Sequence, residues 1–375
     1  MTLGDACQSS QTAASPSRLR KEMSTAPLLK IAQGEEPLVS ALINNCNYAD
    51  FVGEAIESCL AQTYPKVEVI VVDDGSTDGS REVLRRYAGR IRAIFQPNGG
   101  QGAAVNTGVR EARGEVLCLL DADDTWFPEK IASVVEKYRQ GPWGLVSHDL
   151  LMRGDRGVRV PEATWSACTG VRLREGRVFA DLVRERLVWA FSPTSGLSLP
   201  AALARRIGPL PERDWRNAVD TPIAYAAAYL GPVGAISTPL GHYRVHGRND
   251  LGFERFGPER KRVWRLWHLP RREKFLREFL ARSGDRLEIE LCRDYLHLRD
   301  WCLIASRVPV AHLPALWRES VRFRRSAGRR WPGVVASLLK DAAAAGVATL
   351  PVPSHFRRLR RLYRKEIRGR NGRDG

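Results

Sequence analysis

Several things are scarce in this chain of 375 residues, and each scarcity removes a class of answer. No run of about 18 apolar residues exists to span a bilayer, and residues 1–36 lack the apolar core of a signal peptide. The expectation is a cytoplasmic protein. The seven cysteines, Cys7, Cys46, Cys59, Cys118, Cys168, Cys292 and Cys302, form no CxxC pair and are odd in number. That argues against a zinc knuckle and against a disulfide framework, leaving reduced, mostly buried thiols. Lysine is rare as well: only nine of the 59 basic residues are Lys, so the positive charge is almost wholly guanidinium.

What is present begins with enough apolar residues, 43%, for a full core in one large domain or two. The net charge of +17 is unevenly placed. From Arg255 to Gly375 there are 30 basic against 12 acidic residues, whereas residues 1–254 hold 29 against 30. The whole surplus is C-terminal and suits phosphate, on lipid headgroups or on nucleic acid.

Residues 1–36 are rich in Ser, Thr, Ala and Gln without periodicity and read as a disordered leader outside the fold. From Leu38 the pattern becomes regular. Strands are expected at 38–43, 67–72, 91–95 and 116–120, alternating with helices. The first helix carries Phe51, Val52, Ala55, Ile56, Cys59 and Leu60 at helical spacing, and the third carries Ala104, Val105, Gly108, Val109 and Ala112. Such alternation predicts an α/β fold with a parallel sheet, whose ligand crevice lies at the carboxyl ends of the strands. Further strands are expected at 145–151, 195–199, 233–237 and 241–246, and a helix at 217–230. Beyond about residue 250 the chain reads as a basic, mainly helical extension broken by prolines.

Two of the expected strands end in carboxylates: Val71-Val72 runs into Asp73-Asp74-Gly75-Ser76, and Leu119-Leu120 runs into Asp121-Ala122-Asp123-Asp124. Crowded carboxylates repel one another and persist most easily where a cation, a nucleotide or both sit between them. The first cluster alone would serve as an ordinary strand-to-helix turn. In the second, Asp121 and Asp123 are two apart and can reach one hard divalent cation with positions left for diphosphate oxygens. DxD triplets are common by chance, so it is the two clusters together, with Asn98-Gly99-Gly100 between them, that carry weight.

These segments resemble family 2 glycosyltransferases, nucleotide-sugar-dependent enzymes of the GT-A fold, a Rossmann-like, mostly parallel sheet. The resemblance covers residues 38–250 and runs through Ala61-Gln62-Thr63-Tyr64-Pro65, Val71 to Asp78, Asn98-Gly99-Gly100 to Asn106-Thr107-Gly108, and Leu120 to Asp124, then Pro128 and Lys130. It implies a domain over 37–250 and a donor site formed by Asn47, Asp73, Asp74, Gly100, Asn106, Asp121, Ala122 and Arg244. In that site Asp73 contacts the base and Asp121 lies against ribose and metal-bound groups. Asp123 ligates Mg²⁺ or Mn²⁺ with Asp121 and His246 as further ligands. Arg244 and His246 belong to Tyr243-Arg244-Val245-His246-Gly247-Arg248-Asn249, which resembles a segment frequent in the family, and their alternation on a strand would turn both toward the diphosphate.

The chain departs from the family pattern in having Asn44-Asn45-Cys46-Asn47 for the usual Pro-x-Tyr-Asn, and Val105 where Arg often precedes the Asn. It lacks the Gln-x-x-Arg-Trp signature of processive synthases, which implies a single-addition enzyme. The general base must be a carboxylate outside the metal site. Asp220 matches an acidic family position that often follows Glu, here Val219, although a carboxylate at a helix start also favours the dipole by ~0.5 kcal/mol. Asp214 and Asp149 are the reserves. The implied reaction moves one sugar, with inversion, from a nucleotide diphosphate sugar to a hydroxyl acceptor such as a lipid-linked glycan precursor.

The basic tail suggests an anionic membrane surface as partner, because Phe356, Leu359, Leu362, Tyr363 and Ile367 fall on one helical stripe among Arg357, Arg358, Arg360, Arg361, Arg364 and Lys365. That gives a peripheral location on the inner face of the cell membrane. A nucleic-acid-binding protein is the rival class, and it leaves the acidic clusters unexplained, since they repel phosphate unless a metal intervenes.

Overall fold

A computed structural model describes residues 28–184, 189–246, 249, 271–272 and 274–285. The chain divides into two compact units, Met1–His246 and Gly247–Gly375.

The first unit is built on an eight-stranded sheet in the order β3-β2-β1-β4-β7-β6-β8-β5. Its parallel half consists of β1 (Val39–Asn45), β2 (Val67–Asp74), β3 (Arg92–Gln96) and β4 (Val116–Asp121). Val39, Ala41, Leu42 and Ile43 of β1 and Val116 to Leu120 of β4 are almost wholly buried, the near-continuous apolar run of strands covered on both faces. Helices α1 (Val52–Leu60), α2 (Ser80–Arg85) and α3 (Gln101–Glu111) connect them. Helix α3 presents Gly102, Ala103, Ala104 and Gly108, all buried. A side chain at Gly108 would collide with Leu42, so its absence lets the helix lie directly on β1.

Register is what positions the site. Strand β1 pairs Asn45 with Asp73 on one side and Asn44 with Asp121 on the other, so the two acidic clusters flank the end of one strand. The order 3-2-1-4 places the reversal of strand order there, where α/β sheets bind ligands.

The second half of the sheet, for which the sequence sets no strand direction, is mixed. After β5 (Thr125–Trp126), α4 (Lys130–Gln140) and β6 (Leu145–Gly154) come two short helices, α5 (Trp165–Thr169) and α6 (Phe179–Arg184). Then follow a 3-10 turn (Thr194–Gly196) and β7 (Leu197–Pro200), which runs antiparallel to both β4 and β6. Helices α7 (Ala201–Ile207) and α8 (Asp220–Leu230) lead to β8 (Val233–Val245), which is parallel to β6. The two strands expected at 233–237 and 241–246 are thus one, whose pairing with β6 shifts register around Asp149. Helix α8 begins at Asp220 and not at Asn217, because Ala218 has a left-handed backbone, φ 58°, that a helix cannot contain. From Thr221 to Leu230 the helix is buried all round.

The expectation that residues 1–36 lie outside the fold fails for 28–36. Ile31 is 2% exposed in the main core with its N–H donating to Tyr138 O, and Leu28 lies close against Gly231. An isoleucine buried this way contributes roughly 1.5–3 kcal/mol, enough to hold a segment with no periodicity of its own.

In the second unit, residues 271–272 and 274–282 are helical, with Phe275, Leu276, Phe279 and Leu280 buried and the two phenylalanine rings stacked at 5.8 Å. The rest of the expected basic extension, including the stripe from Phe356 to Ile367, lies outside the described residues.

Candidate active site

The first acidic cluster folds into a tight turn held from within. Asp73 Oδ1 accepts from Asn45 Nδ2 at 3.1 Å and from the Ser76 hydroxyl, while Arg81 Nε stands 3.5 Å from Oδ2. Asp73 Oδ2 and Asn45 Oδ1 are both buried and make no hydrogen bond among the described residues. Buried acceptors left this way are unusual and mark a place where an incoming N–H would be welcome. Asp74 acts on the neighbouring loop, its two oxygens accepting from the backbone N–H groups of Gly99 (2.9 Å) and Gly100 (2.6 Å) and from Gln96 Nε2 (2.7 Å). It clamps the loop that starts α3. Asn47 is also a turn builder, with φ 60° and Oδ1 accepting from Thr77 N at 2.7 Å.

The second cluster is more crowded. Asp121 Oδ1 accepts from Asn44 Nδ2 and from Gln101 Nε2, each at 2.8 Å. Burial and the nearby Asp123 and Asp220 push its carboxyl up to about 7. Asp124 is buried, with Ser195 Oγ donating to one oxygen at 2.6 Å and Arg244 N to the other at 2.8 Å. Burial, together with Asp123 and Asp121, raises it well above the usual carboxylate range. Ala122, expected among the donor contacts, is 1% exposed and part of the core. Asp123 Oδ2 lies 3.0 Å from His246 Nε2, whose ring stacks on Phe51 with centroids 4.7 Å apart.

Arg244 does not present its guanidinium to a diphosphate in the way its alternation with His246 suggests. The group is buried against Glu54 (Nη2 to Oε2, 2.6 Å), Asp155 (Nη1 to Oδ2, 2.5 Å) and the carbonyl of Asp123 (Nε, 2.8 Å). It thereby holds the backbone of the DxD turn, and its hydrogen bonds keep Glu54 and Asp155 below the ordinary carboxylate range. Asn106 is likewise engaged elsewhere: its amide gives to Leu210 O at 2.9 Å and accepts from Leu210 N at 2.8 Å. It lines a cavity of about 320 Å³ between α3, α7 and α8.

Asp220 reaches the cluster by way of a strap, residues 211–219. The N–H groups of Gln101 and Gly102, left unpaired by the start of α3, donate to Arg216 O and Trp215 O at 2.8 Å each. Gly100 leaves room for this, since a Cβ there would sit 2.6 Å from Arg216 Cα. Burial pushes the Asp220 carboxyl up to about 6 against the opposing hydrogen bond from Thr221 N. Of the reserve bases, Asp149 is occupied by the N–H groups of Leu150 and Ser166 and by the Ser166 hydroxyl.

Sequence reasoning missed Gln101, Asn44, Ser195 and Glu54, which hold the named carboxylates or Arg244 in place. Only Asn44 carried a signal, standing where the family pattern has proline at the end of β1.

Carboxylates gathered at the carboxyl ends of parallel strands mark an α/β protein whose ligand enters the sheet crevice. A family model for glycosyl transferase family 2 matches residues 40–182. The glycosyltransferase alr2836 of Nostoc sp. strain PCC 7120, itself uncharacterized, is 32% identical over 265 residues, 70% of this chain and 81% of its own length. A Bacillus subtilis glycosyltransferase named for teichuronic acid biosynthesis, TuaG, is 35% identical over 27% of this chain and 42% of its own. Among solved structures, Staphylococcus aureus TarS 1–349 in complex with UDP-GlcNAc is similar at 16% identity and a TM-score of 0.49, over 88% of this chain and 92% of that one. The chain belongs to glycosyl transferase family 2, and it is a glycosyltransferase with that family's mixed α/β GT-A fold. No helix among the described residues is long and apolar enough to cross a membrane.

Proposed function

We propose that this enzyme moves one sugar from a nucleotide diphosphate sugar to a hydroxyl acceptor in a single, inverting displacement, with Asp220 as general base. The observation that carries this is the convergence of Asp121, Asp123, His246 and Asp220 on the crevice, from three separate segments. A carboxyl raised to about 6 is largely ionised at neutral pH yet basic enough to take a hydroxyl proton as the bond forms. The buried acceptors Asp73 Oδ2 and Asn45 Oδ1, left without a hydrogen bond, suit the N–H edge of a nucleobase.

Among the described residues no three His, Cys, Asp or Glu side chains gather to hold a metal by themselves. The pair Asp123 and His246, with Asp121 beside it, instead fits a divalent ion that takes its remaining ligands from a diphosphate and water. Bound there, Mn²⁺ or Mg²⁺ would supply charge to the departing diphosphate. The Arg-rich C-terminal region, net +18 from Arg255 onward, supports an acceptor presented at an anionic membrane surface, such as a lipid-linked precursor of an envelope polysaccharide. TuaG's name is in keeping with such a role. Turnover of a panel of UDP- and GDP-sugars with Mn²⁺ and with EDTA tests the reading: one donor should be consumed only with metal present.

A further inference from the structure

We infer that Gln101 is a positioning residue that ties the donor carboxylate Asp121 to the start of the helix carrying Asp220. The inference rests on the reading of Asp220 as the base. Gln101 Nε2 donates to Asp121 Oδ1 at 2.8 Å while Gln101 Oε1 accepts from Val219 N at 3.3 Å. A neutral amide is suited to this, since it offers a donor at one atom and an acceptor at the other; leucine offers neither and an ionised glutamate only the acceptor.

The segment that Gln101 holds contains a strained residue. Ala218 has φ 58°, a conformation in which an alanine is strained, directly before the Val219 N–H that Gln101 receives. The same strap is pinned to α3's first turn through Arg216 O and Trp215 O, so Gln101 completes a continuous connection from β4 to α8. A group settling against Asp121 therefore acts on the strap through one side chain. Because Asn44 also donates to Asp121 Oδ1 at 2.8 Å, removing Gln101 leaves the carboxylate held and should spare nucleotide affinity.

Hydrogen exchange over residues 215–221 gives the test, with UDP or GDP plus Mn²⁺ as the probe, whichever stabilises the wild-type enzyme. In the wild type the probe should slow exchange there about tenfold or more. Gln101→Leu should exchange fast with or without the probe, bind it within about threefold of wild type, and turn over about tenfold or more slowly, the scale expected for a displaced catalytic group. Gln101→Glu keeps the acceptor for Val219 N–H but loses the donor to Asp121. It should retain protection in the nucleotide-free protein and lose the response to the probe, which also guards against misfolding of the leucine variant. Wild-type exchange in both variants, with and without the probe, overturns the inference. If exchange changes as expected while Asp220→Asn retains turnover, the connection stands and the base assignment falls.

Discussion

His246 Nε2 lies 3.0 Å from Asp123 Oδ2, joining the residue that follows β8 to the turn that follows β4. The imidazole is fixed by stacking on Phe51 and by an edge contact with Tyr48 at 5.6 Å, so the pair is pre-set in direction. Two side chains held this way would cost little ordering on binding a cation.

The first prediction follows from that pair. A nucleoside diphosphate should raise the melting temperature only with Mn²⁺ or Mg²⁺, by an amount equivalent to about 2.7 kcal/mol at a hundred times the dissociation constant. Asp123→Ala should remove the gain and His246→Ala should weaken it. Equal stabilisation in EDTA would defeat the metal assignment.

A second prediction concerns the base. With its carboxyl at about 6, Asp220 should give a turnover rate that rises with pH through that value as the group ionises. Asp220→Asn should cut turnover by roughly 10²-fold or more and abolish that rise, while calorimetry finds donor affinity near wild type. Retained turnover would move the role to Asp214 or Asp149.

Part of this arrangement is legible in the sequence, because the apolar runs and the residues that end them are local features of it. The apolar runs of β1, β2 and β4, and with them the place of both acidic clusters at strand ends of one sheet, follow from pattern and spacing, whereas the seat of β1 between β2 and β4 comes only from the pairing. The antiparallel strand β7 is not legible as such: four buried residues carry no mark of direction. Arg244 reads from its neighbours on one strand, whereas its partners Glu54 and Asp155 come from elements 190 and 89 positions away. The strap is hidden for a similar reason, since its left-handed residue is an alanine and not the glycine that would announce a turn.

Arg244 should prove structural, which makes a third prediction. Its side chain is 2% exposed and bound to Glu54 and Asp155, which are 48% and 28% exposed. Breaking a buried ion pair costs about 3–5 kcal/mol, and solvent on the partners' side reduces this to about 2–3 kcal/mol for Arg244→Met. Denaturant unfolding should show the loss at neutral pH. Arg244 lowers both partners from the ordinary 4.5 and 3.8, so their contribution is full above those values and disappears as pH falls below them. Wild type and variant should therefore converge in acid.

A fourth prediction has the opposite sign. Asp121, pushed up to about 7, binds its proton more tightly when folded than the ordinary 3.8 allows, and so, in direction, does Asp124. Their share of stability is fully present below 3.8 and is lost as pH rises toward 7. The metal-free enzyme should lose melting temperature across that window, and Asp124→Asn should flatten the loss.

The last prediction turns to the C-terminal region, where the sequence sets an apolar stripe of Phe356, Leu359, Leu362, Tyr363 and Ile367 within the part of the chain that carries 30 basic against 12 acidic residues. A membrane surface offers the stripe a boundary to enter and each nearby cation ~1 kcal/mol of attraction to anionic lipid. Neutral vesicles satisfy only the stripe, and nucleic acid satisfies only the charge. Co-sedimentation should therefore require anionic lipid, fall with salt, and weaken on Leu359→Glu and Leu362→Glu. If both substitutions change nothing while duplex DNA binds more tightly than anionic vesicles at physiological salt, the membrane reading is wrong and the arginines serve nucleic acid.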